Sequence, residues 1–218
     1  MAVLFLLAAI VGCALAKPNV TPVSVTLYYE SLCPGCREFI PNQLYPAYTD
    51  TKYDYSSLIS KLTLVPYGWA HVLNATTHEY QCQHGEEECQ GNRLHGCALK
   101  YIPDALTSVE YLSCLEKTPL VSYEFLAQNS GYPIDKCQEK LPSGIYQKIM
   151  SCYNSEEGLK IFEENGKKTT SFFTFPYRFV PYISFNDKAD QDLALASVED
   201  FKKTLCKVAG VTDKACAS

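Results

Sequence analysis

The sequence predicts an α/β sandwich carrying a disulfide-stapled, mainly helical insertion, and three observations predict it. A strand of buried type, Val23 to Tyr29, runs directly into Cys33-Pro-Gly-Cys36 at the start of a helical pattern. Most of the remaining cysteines crowd into residues 70–166, among short amphipathic helical patterns. Sheet signals return only at Val180 to Phe185, ahead of a last helical pattern.

The chain opens on MAVLFLLAAIVGCALA, an apolar run over residues 1–16 that ends in Ala14-Leu15-Ala16. Small residues there fit a signal peptidase site before Lys17, so residues 1–16 are expected to act as a signal peptide into the secretory pathway. The run is too short to cross a bilayer as a helix, and no later stretch comes near a membrane span. Residues 17–218 are then expected to form a single domain, with the insertion at about 70–166.

Val23-Ser-Val-Thr-Leu-Tyr-Tyr29 is β-branched and aromatic, bounded by Pro22 and a turn at Glu30-Ser31, which gives the first strand. After the cysteine pair, Phe39, Ile40, Leu44 and Tyr48 recur at helical spacing, and Pro41 is expected to kink that helix. Lys61 to Val65 reads as a second strand, ended by Pro66 and Gly68. Helices are expected around Asp104 to Leu115, Gly144 to Cys152 and Ser155 to Glu164. After the strand Val180 to Phe185 come a turn at Asn186-Asp187 and a short further strand. Ser197-Val-Glu-Asp200 then opens a final helix as a capping-box variant, with Phe201 and Leu205 inward. The order strand, C-x-x-C on a helix start, strand, helical insertion, strand, helix is that of a thioredoxin-like fold interrupted by an insertion.

With 19 basic and 24 acidic residues the net charge is −5, and no basic stripe is visible, which argues against nucleic acid as a partner. Asn19-Val-Thr21 and Asn74-Ala-Thr76 match the glycan acceptor pattern, with Asn74 the better placed because Asn19 falls beside the new terminus. Of 11 cysteines, Cys13 leaves with the signal peptide. Beside Cys33 and Cys36 there remain Cys82, Cys89, Cys97, Cys114, Cys137, Cys152, Cys206 and Cys216. In an oxidising compartment these eight predict structural disulfides, whose connectivity stays open because eight cysteines pair in roughly a hundred ways.

Cys33 and Cys36 carry the chemistry. A C-x-x-C also begins zinc sites, but a zinc ribbon would set a second close pair in a small sheet, whereas this one joins a buried strand to a helix. A thiolate at a helix N-terminus meets amide N–H groups without intrahelical partners and the positive end of the helix dipole. The dipole supplies only about 0.3 to 2 kcal/mol, so the N–H groups are expected to carry most of a large shift. At about pH 5, lowering the pKa from about 8.5 to about 5 raises the thiolate fraction over a thousandfold, and the loss of intrinsic nucleophilicity leaves a net gain on the order of forty-fold. Cys33 is thus the expected nucleophile on a substrate disulfide, and Cys36 the resolving thiol. No metal or organic cofactor is needed; an external small thiol such as cysteine or glutathione would reset the pair. Pro181, after Val180, is expected in the cis form beside the motif, where it would shape the substrate groove. A thiol oxidase or isomerase, or a secreted non-catalytic binding scaffold, are the alternatives; the intact pair argues against a scaffold.

From Cys82 the chain reads CQHGEEECQGNRLHGC, in which Cys82, Gln83, His84, Gly85, Glu88, Cys89, Asn92 and Cys97 match the long signature of the gamma-interferon-inducible lysosomal thiol reductase family. The sequence resembles that family over nearly all of the mature chain, through Cys33-Pro-Gly-Cys36, Leu64-Val-Pro-Tyr-Gly68, Val180-Pro181 and the pair Cys206 and Cys216. The resemblance implies reduction of disulfide-containing protein substrates in acidic endosomes or lysosomes, or after secretion, with Cys33 and Cys36 catalytic. Trp69 stands where the family commonly has Asn, and Tyr182 where it commonly has Trp; both are expected to bear on the substrate groove. His84 and His95 among three cysteines resemble a zinc cluster, but the spacings fit structural zinc poorly. Disulfides in a loop, with the histidines exposed or bonded to backbone, are expected instead. Phe172, Phe173, Phe175 and Tyr177 fit either a peptide groove or core packing beneath Pro176, with core packing the preferred reading.

Overall fold

The computed structural model describes residues 20–118, 131–173, 179–212 and 216. Residues 1–16, expected to act as a signal peptide, together with Asn19, Phe175, Pro176 and Tyr177, therefore lie outside the described residues. Strand β1 (Val23–Tyr29) occupies the middle of a three-stranded sheet, with β2 (Ile59–Pro66) parallel on one side and β5 (Tyr182–Phe185) antiparallel on the other. The register runs Ser24 to Lys61 through Tyr29 to Pro66 on the parallel side, and Val25 to Phe185 through Tyr28 to Tyr182 on the antiparallel side.

A parallel pair needs a crossover. It is made by α1 (Pro34–Phe39), a π-helical turn at Ile40–Leu44 and α2 (Tyr45–Thr49), followed by a 3₁₀ turn at Tyr55–Leu58. Pro41 and Pro46 each lack the N–H that a continuous α ladder would use, and the helix widens into the π turn between them instead of breaking. Val25, Leu27 and Tyr29 point into the main core with Phe39, Ile40, Leu44 and Phe201; Tyr28 faces the other layer with Val65, Tyr182 and Ala194. Both faces of the sheet are covered, which is why its strands read as unbroken apolar and aromatic runs rather than alternating ones.

Between β2 and β5 lie a hairpin of β3 (His71–Asn74) and β4 (Glu79–Gln81), then α3 (Glu86–Tyr101) and α4 (Ala105–Lys117), a 3₁₀ turn at Gln138–Lys140, α5 (Ile145–Tyr153) and α6 (Glu156–Phe172). Four disulfides staple the chain: Cys82–Cys89, Cys97–Cys152, Cys114–Cys137 and Cys206–Cys216, with Cα separations of 5.6 to 5.9 Å. No helix among the described residues is long and apolar enough to cross a membrane.

Several sequence expectations need correction. The signature cysteines are not in a loop, since Cys89 and Cys97 sit on α3, a helix the periodicity did not reveal. The hairpin β3–β4 also went unforeseen, and the helix expected to end at Glu164 runs on to Phe172. Ser197 does not cap the last helix. It lies inside α7 (Gln191–Glu199), bonding back to the Leu193 carbonyl, while Asp200 caps α8 (Phe201–Val208) by accepting from the Lys203 N–H at 3.0 Å. Asn186 and Asp187 make the expected turn with φ of 52° and 57°, but beyond it only an isolated bridge joins Phe185 to Lys188. Phe172 and Phe173 pack on Tyr28 and Tyr182. Tyr182, 3% exposed, belongs to that layer and so does not line a surface groove.

Candidate functional site

Strand β1 delivers Glu30, Ser31 and Leu32 to the start of α1, where Cys33 is the N-cap residue and Pro34 fills the first helical position. Proline suits that position because its missing N–H would have no intrahelical partner. The Cys33 carbonyl accepts the N–H groups of Cys36 and Arg37, each at 3.0 Å, so the motif is wound tightly on its own turn. Both cysteines are free thiols; Cys36 is fully enclosed while Cys33 retains 9% exposure. A substrate can therefore reach only Cys33 first. Val180–Pro181 is a cis peptide, and the Val180 carbonyl oxygen lies 3.8 Å from the Cys33 Sγ. A Cβ on Gly35 would stand 3.2 Å from the Pro181 ring, so the glycine is what lets that ring close over the motif.

The two thiols are driven apart electrostatically. Cys33 is lowered to about 6, chiefly by the hydrogen bond from the Cys36 thiol; burial opposes this, and the backbone N–H groups of Cys36 and Gly35 and the charge of His84 add to it. The amide groups are thus not the main cause, contrary to the sequence argument. No side-chain cap hydrogen bond forms at Cys33. Cys36 is pushed well above the ordinary thiol range, first by its burial and then by its donation to Cys33.

Two buried polar groups flank the pair. In the first, Glu30 and Glu88, both fully buried, converge on His84: Nδ1 lies 2.5 Å from Glu88 Oε2 and 3.5 Å from Glu30 Oε2. The ligand-type atoms of this trio lie within 4.8 Å of one another. In the second, Arg37 donates to the Thr118 carbonyl at 2.7 Å and lies 3.5 Å from Glu116 Oε2. His95, fully buried, sits between the hydroxyls of Tyr29 at 3.1 Å and Tyr132 at 2.7 Å. The expectation of exposed or backbone-bonded histidines is thus corrected at both positions. Glu30, Arg37, Glu116 and Tyr132 were missed by sequence reasoning. The available signal was Glu116, four residues after Leu112 and seven after Val109 on the inward stripe of α4.

The signature residues have a common task. Cys82–Cys89 ties the exit of the hairpin to the first turn of α3, and Gly85, with φ of 89°, makes the bend that starts the helix. Asn92 Oδ1 accepts the Ser31 N–H at 2.9 Å, and the Ser31 hydroxyl donates to the Glu88 carbonyl at 3.2 Å. Helix α3 is thereby fastened to Ser31, two residues before Cys33, while Cys97–Cys152 anchors its far half to α5. Gln83 is exposed, in a cleft shared with Trp69, His71 and Gln81. Asn74 is exposed at the end of β3.

The family model for gamma interferon inducible lysosomal thiol reductase matches residues 24–141, more than half of the chain. A gamma-interferon-inducible lysosomal thiol reductase-like protein of Anopheles gambiae is 32% identical over 196 residues, covering 85% of this chain and 76% of that protein. The gamma-interferon-inducible lysosomal thiol reductase of Carassius auratus is 33% identical over 199 residues, covering 88% and 70%. A gamma-interferon-responsive lysosomal thiol protein of Arabidopsis thaliana is 34% identical over 184 residues, covering 84% and 70%. On this match, spanning the first strand, the cysteine pair and the whole signature, the chain belongs to the gamma interferon inducible lysosomal thiol reductase family.

Proposed function

We propose that this chain reduces disulfide bonds of protein substrates, on a thioredoxin-like scaffold formed by residues 17–218 and interrupted at about 70–166. The observation that carries the proposal is the split between a reachable, low-pKa Cys33 and an enclosed, high-pKa Cys36. Cys33 attacks a substrate sulfur to form a mixed disulfide. Cys36 then displaces the reduced substrate and leaves the Cys33–Cys36 bond, which an external small thiol such as cysteine or glutathione reopens. Pro181 and Val180 form one wall of the substrate groove, the Val180 carbonyl lying 3.8 Å from the attacking Cys33 Sγ.

The site suits an acidic compartment. At about pH 5 a Cys33 thiol near 6 is thiolate roughly one time in ten, against about one in ten thousand at the ordinary value of 9.0. The accompanying loss of nucleophilicity leaves a gain of on the order of forty-fold. Entry to the secretory pathway through residues 1–16, residence in endosomes or lysosomes or release outside the cell, and a glycan at Asn74 belong to the same proposal. A low Cys33 pKa also stabilises the dithiol form, which favours the second reading, a thiol oxidase or isomerase.

The test is reduction of a denatured disulfide-containing protein at about pH 5 with a small thiol donor. Wild type is expected to be active, Cys33→Ser inactive, and Cys36→Ser trapped as a mixed disulfide. An inactive but folded wild type at acidic and neutral pH would sink the reductase. A reduction potential close to that of strong oxidants, with net disulfide formation in the assay, would favour the second reading.

A further inference from the structure

Resolution of the mixed disulfide requires Cys36 to lose a proton in a place no water reaches. Its Sγ accepts the backbone N–H of Glu30 at 3.4 Å, Cys36 is fully buried, and the charge of the Glu30 carboxylate bears on its thiol. The side chain of that same Glu30 is enclosed too. One carboxylate oxygen takes the Trp69 N–H at 2.5 Å, and the other lies 3.5 Å from His84 Nδ1. Glu88 holds His84 from the far side, with Oε2 at 2.5 Å from Nδ1 and Oε1 accepting the His84 backbone N–H at 3.2 Å. His84 alone of the three reaches the surface, its side chain being 19% exposed. Two buried carboxylates therefore converge on one imidazole nitrogen, which can carry only one hydrogen, and the imidazole opens to solvent. The Cys82–Cys89 disulfide brackets His84 and Glu88 and fixes this arrangement beside the motif.

We propose that Glu30, His84 and Glu88 form the path by which Cys36 exchanges its proton with solvent during resolution, with His84 as the outlet. The proposal rests on the reductase reading above. In the step, the Cys36 S–H bond breaks and its proton passes to the Glu30 carboxylate and on through His84 to water. The Cys36 thiolate attacks the Cys33 sulfur, the Cys33–Cys36 bond forms and the bond from Cys33 to the substrate breaks. The substrate sulfur leaves as a thiolate and takes a proton from water. The enzyme dithiol is oxidised by two electrons and the substrate disulfide is reduced by the same two. Glu88 is a positioning residue, holding the imidazole where Glu30 can reach it. Tyr29 from β1 and Glu116 from α4 also face the cysteine pair. Arg37 is held by the Thr118 and Ser31 carbonyls and Glu116. Tyr29 is turned to the buried His95 and Glu116 is held by Arg37, so neither meets a solvent-open imidazole as Glu30 does.

The experiment follows the mixed disulfide on Cys33 by rapid acid quench and mass spectrometry, using the whole protein and a disulfide-linked peptide between about pH 4.5 and 7.5. Wild type is compared with Glu30→Gln, which keeps an acceptor for the Trp69 N–H, and His84→Gln at the partly exposed position. In both variants the mixed disulfide is expected to persist roughly a hundredfold longer at about pH 5, the size of a lost proton-transfer contribution. Its decay should then quicken steeply as pH rises and hydroxide takes over, while Cys33 alkylation slows far less than that decay, because the His84 charge is the smallest of the causes that lower Cys33. Should Glu30→Gln fail to fold, His84→Gln decides alone. Decay at the wild-type rate and pH slope in His84→Gln overturns the path and leaves the reductase standing. A wild type that forms no mixed disulfide overturns both.

Discussion

Gly91 is where a single atom matters most. It lies on α3 against Ser31, and a Cβ there would stand 2.3 Å from the Ser31 hydroxyl oxygen and 2.6 Å from the Tyr132 ring. Neither neighbour has room to retreat, since Ser31 is fixed by Asn92 and Tyr132 by His95. Gly91→Ala should destabilise the protein by about 1 to 3 kcal/mol through overpacking, measurable by urea unfolding. Because Ser31 is two residues from Cys33, disulfide reduction should fall alongside stability. An alanine variant as stable as wild type would show that α3 is not packed this tightly on the segment before the motif. Residues of this kind were only half legible in the sequence. The signature around Cys82 singled out His84, Glu88 and Asn92, but what they touch, Glu30 and Ser31, lies some sixty residues away, and no local pattern records a contact across that separation.

Among the elements, those with a wholly apolar buried face were easier to read than those that are exposed or bury polar groups, for a physical reason. β1 is buried on both faces, so composition alone marks it, and its bounds were legible to the residue. Helix α3 turns Glu88, Asn92, His95 and Gly91 inward along with Leu94 and Cys97, so its buried face is largely polar and carries no apolar stripe. The last helix was legible in its inward residues, Phe201 and Leu205, but not in its start. Asp200 has extended backbone and its carboxylate accepts the Lys203 N–H, whereas Ser197 has already been absorbed into the preceding helix. Asp200→Ala should therefore cost about 1 kcal/mol, the usual worth of an N-cap, as read by thermal or urea unfolding. Ser197→Ala, which removes only a bond back to the Leu193 carbonyl, should not lower stability through loss of a cap. The reverse ranking would restore the capping box that the sequence first suggested.

At the scale of the whole molecule, the buried titratable groups tie stability to pH in opposing directions. His95 is held down to about 3, first by its burial and then by the Arg37 charge, so it is neutral in the fold across the range in which a free histidine gains a proton. Below its ordinary value of 6.5 the unfolded chain binds a proton there that the folded chain refuses. Stability is therefore complete above that value and is lost as pH falls toward the folded one. Glu116 works the other way. Neither of its carboxylate oxygens has a hydrogen-bond partner, and Arg37 at 3.5 Å only partly offsets burial, so its carboxyl is pushed well above the ordinary range. A neutral Glu116 stabilises the fold in acid and loses that contribution as pH rises through the raised value. Together the two flatten the response that His95 alone would impose, which suits a protein proposed to work in acidic compartments. Unfolding of wild type and His95→Gln in urea isolates one half of this balance. From about pH 7 to about pH 5 the stability advantage of wild type should shrink by about 2 kcal/mol, the linkage expected of one histidine whose proton is refused over that interval. A constant advantage would mean that His95 takes up a proton inside the fold, and its place between the Tyr29 and Tyr132 hydroxyls would then have to accommodate an imidazolium that donates to both.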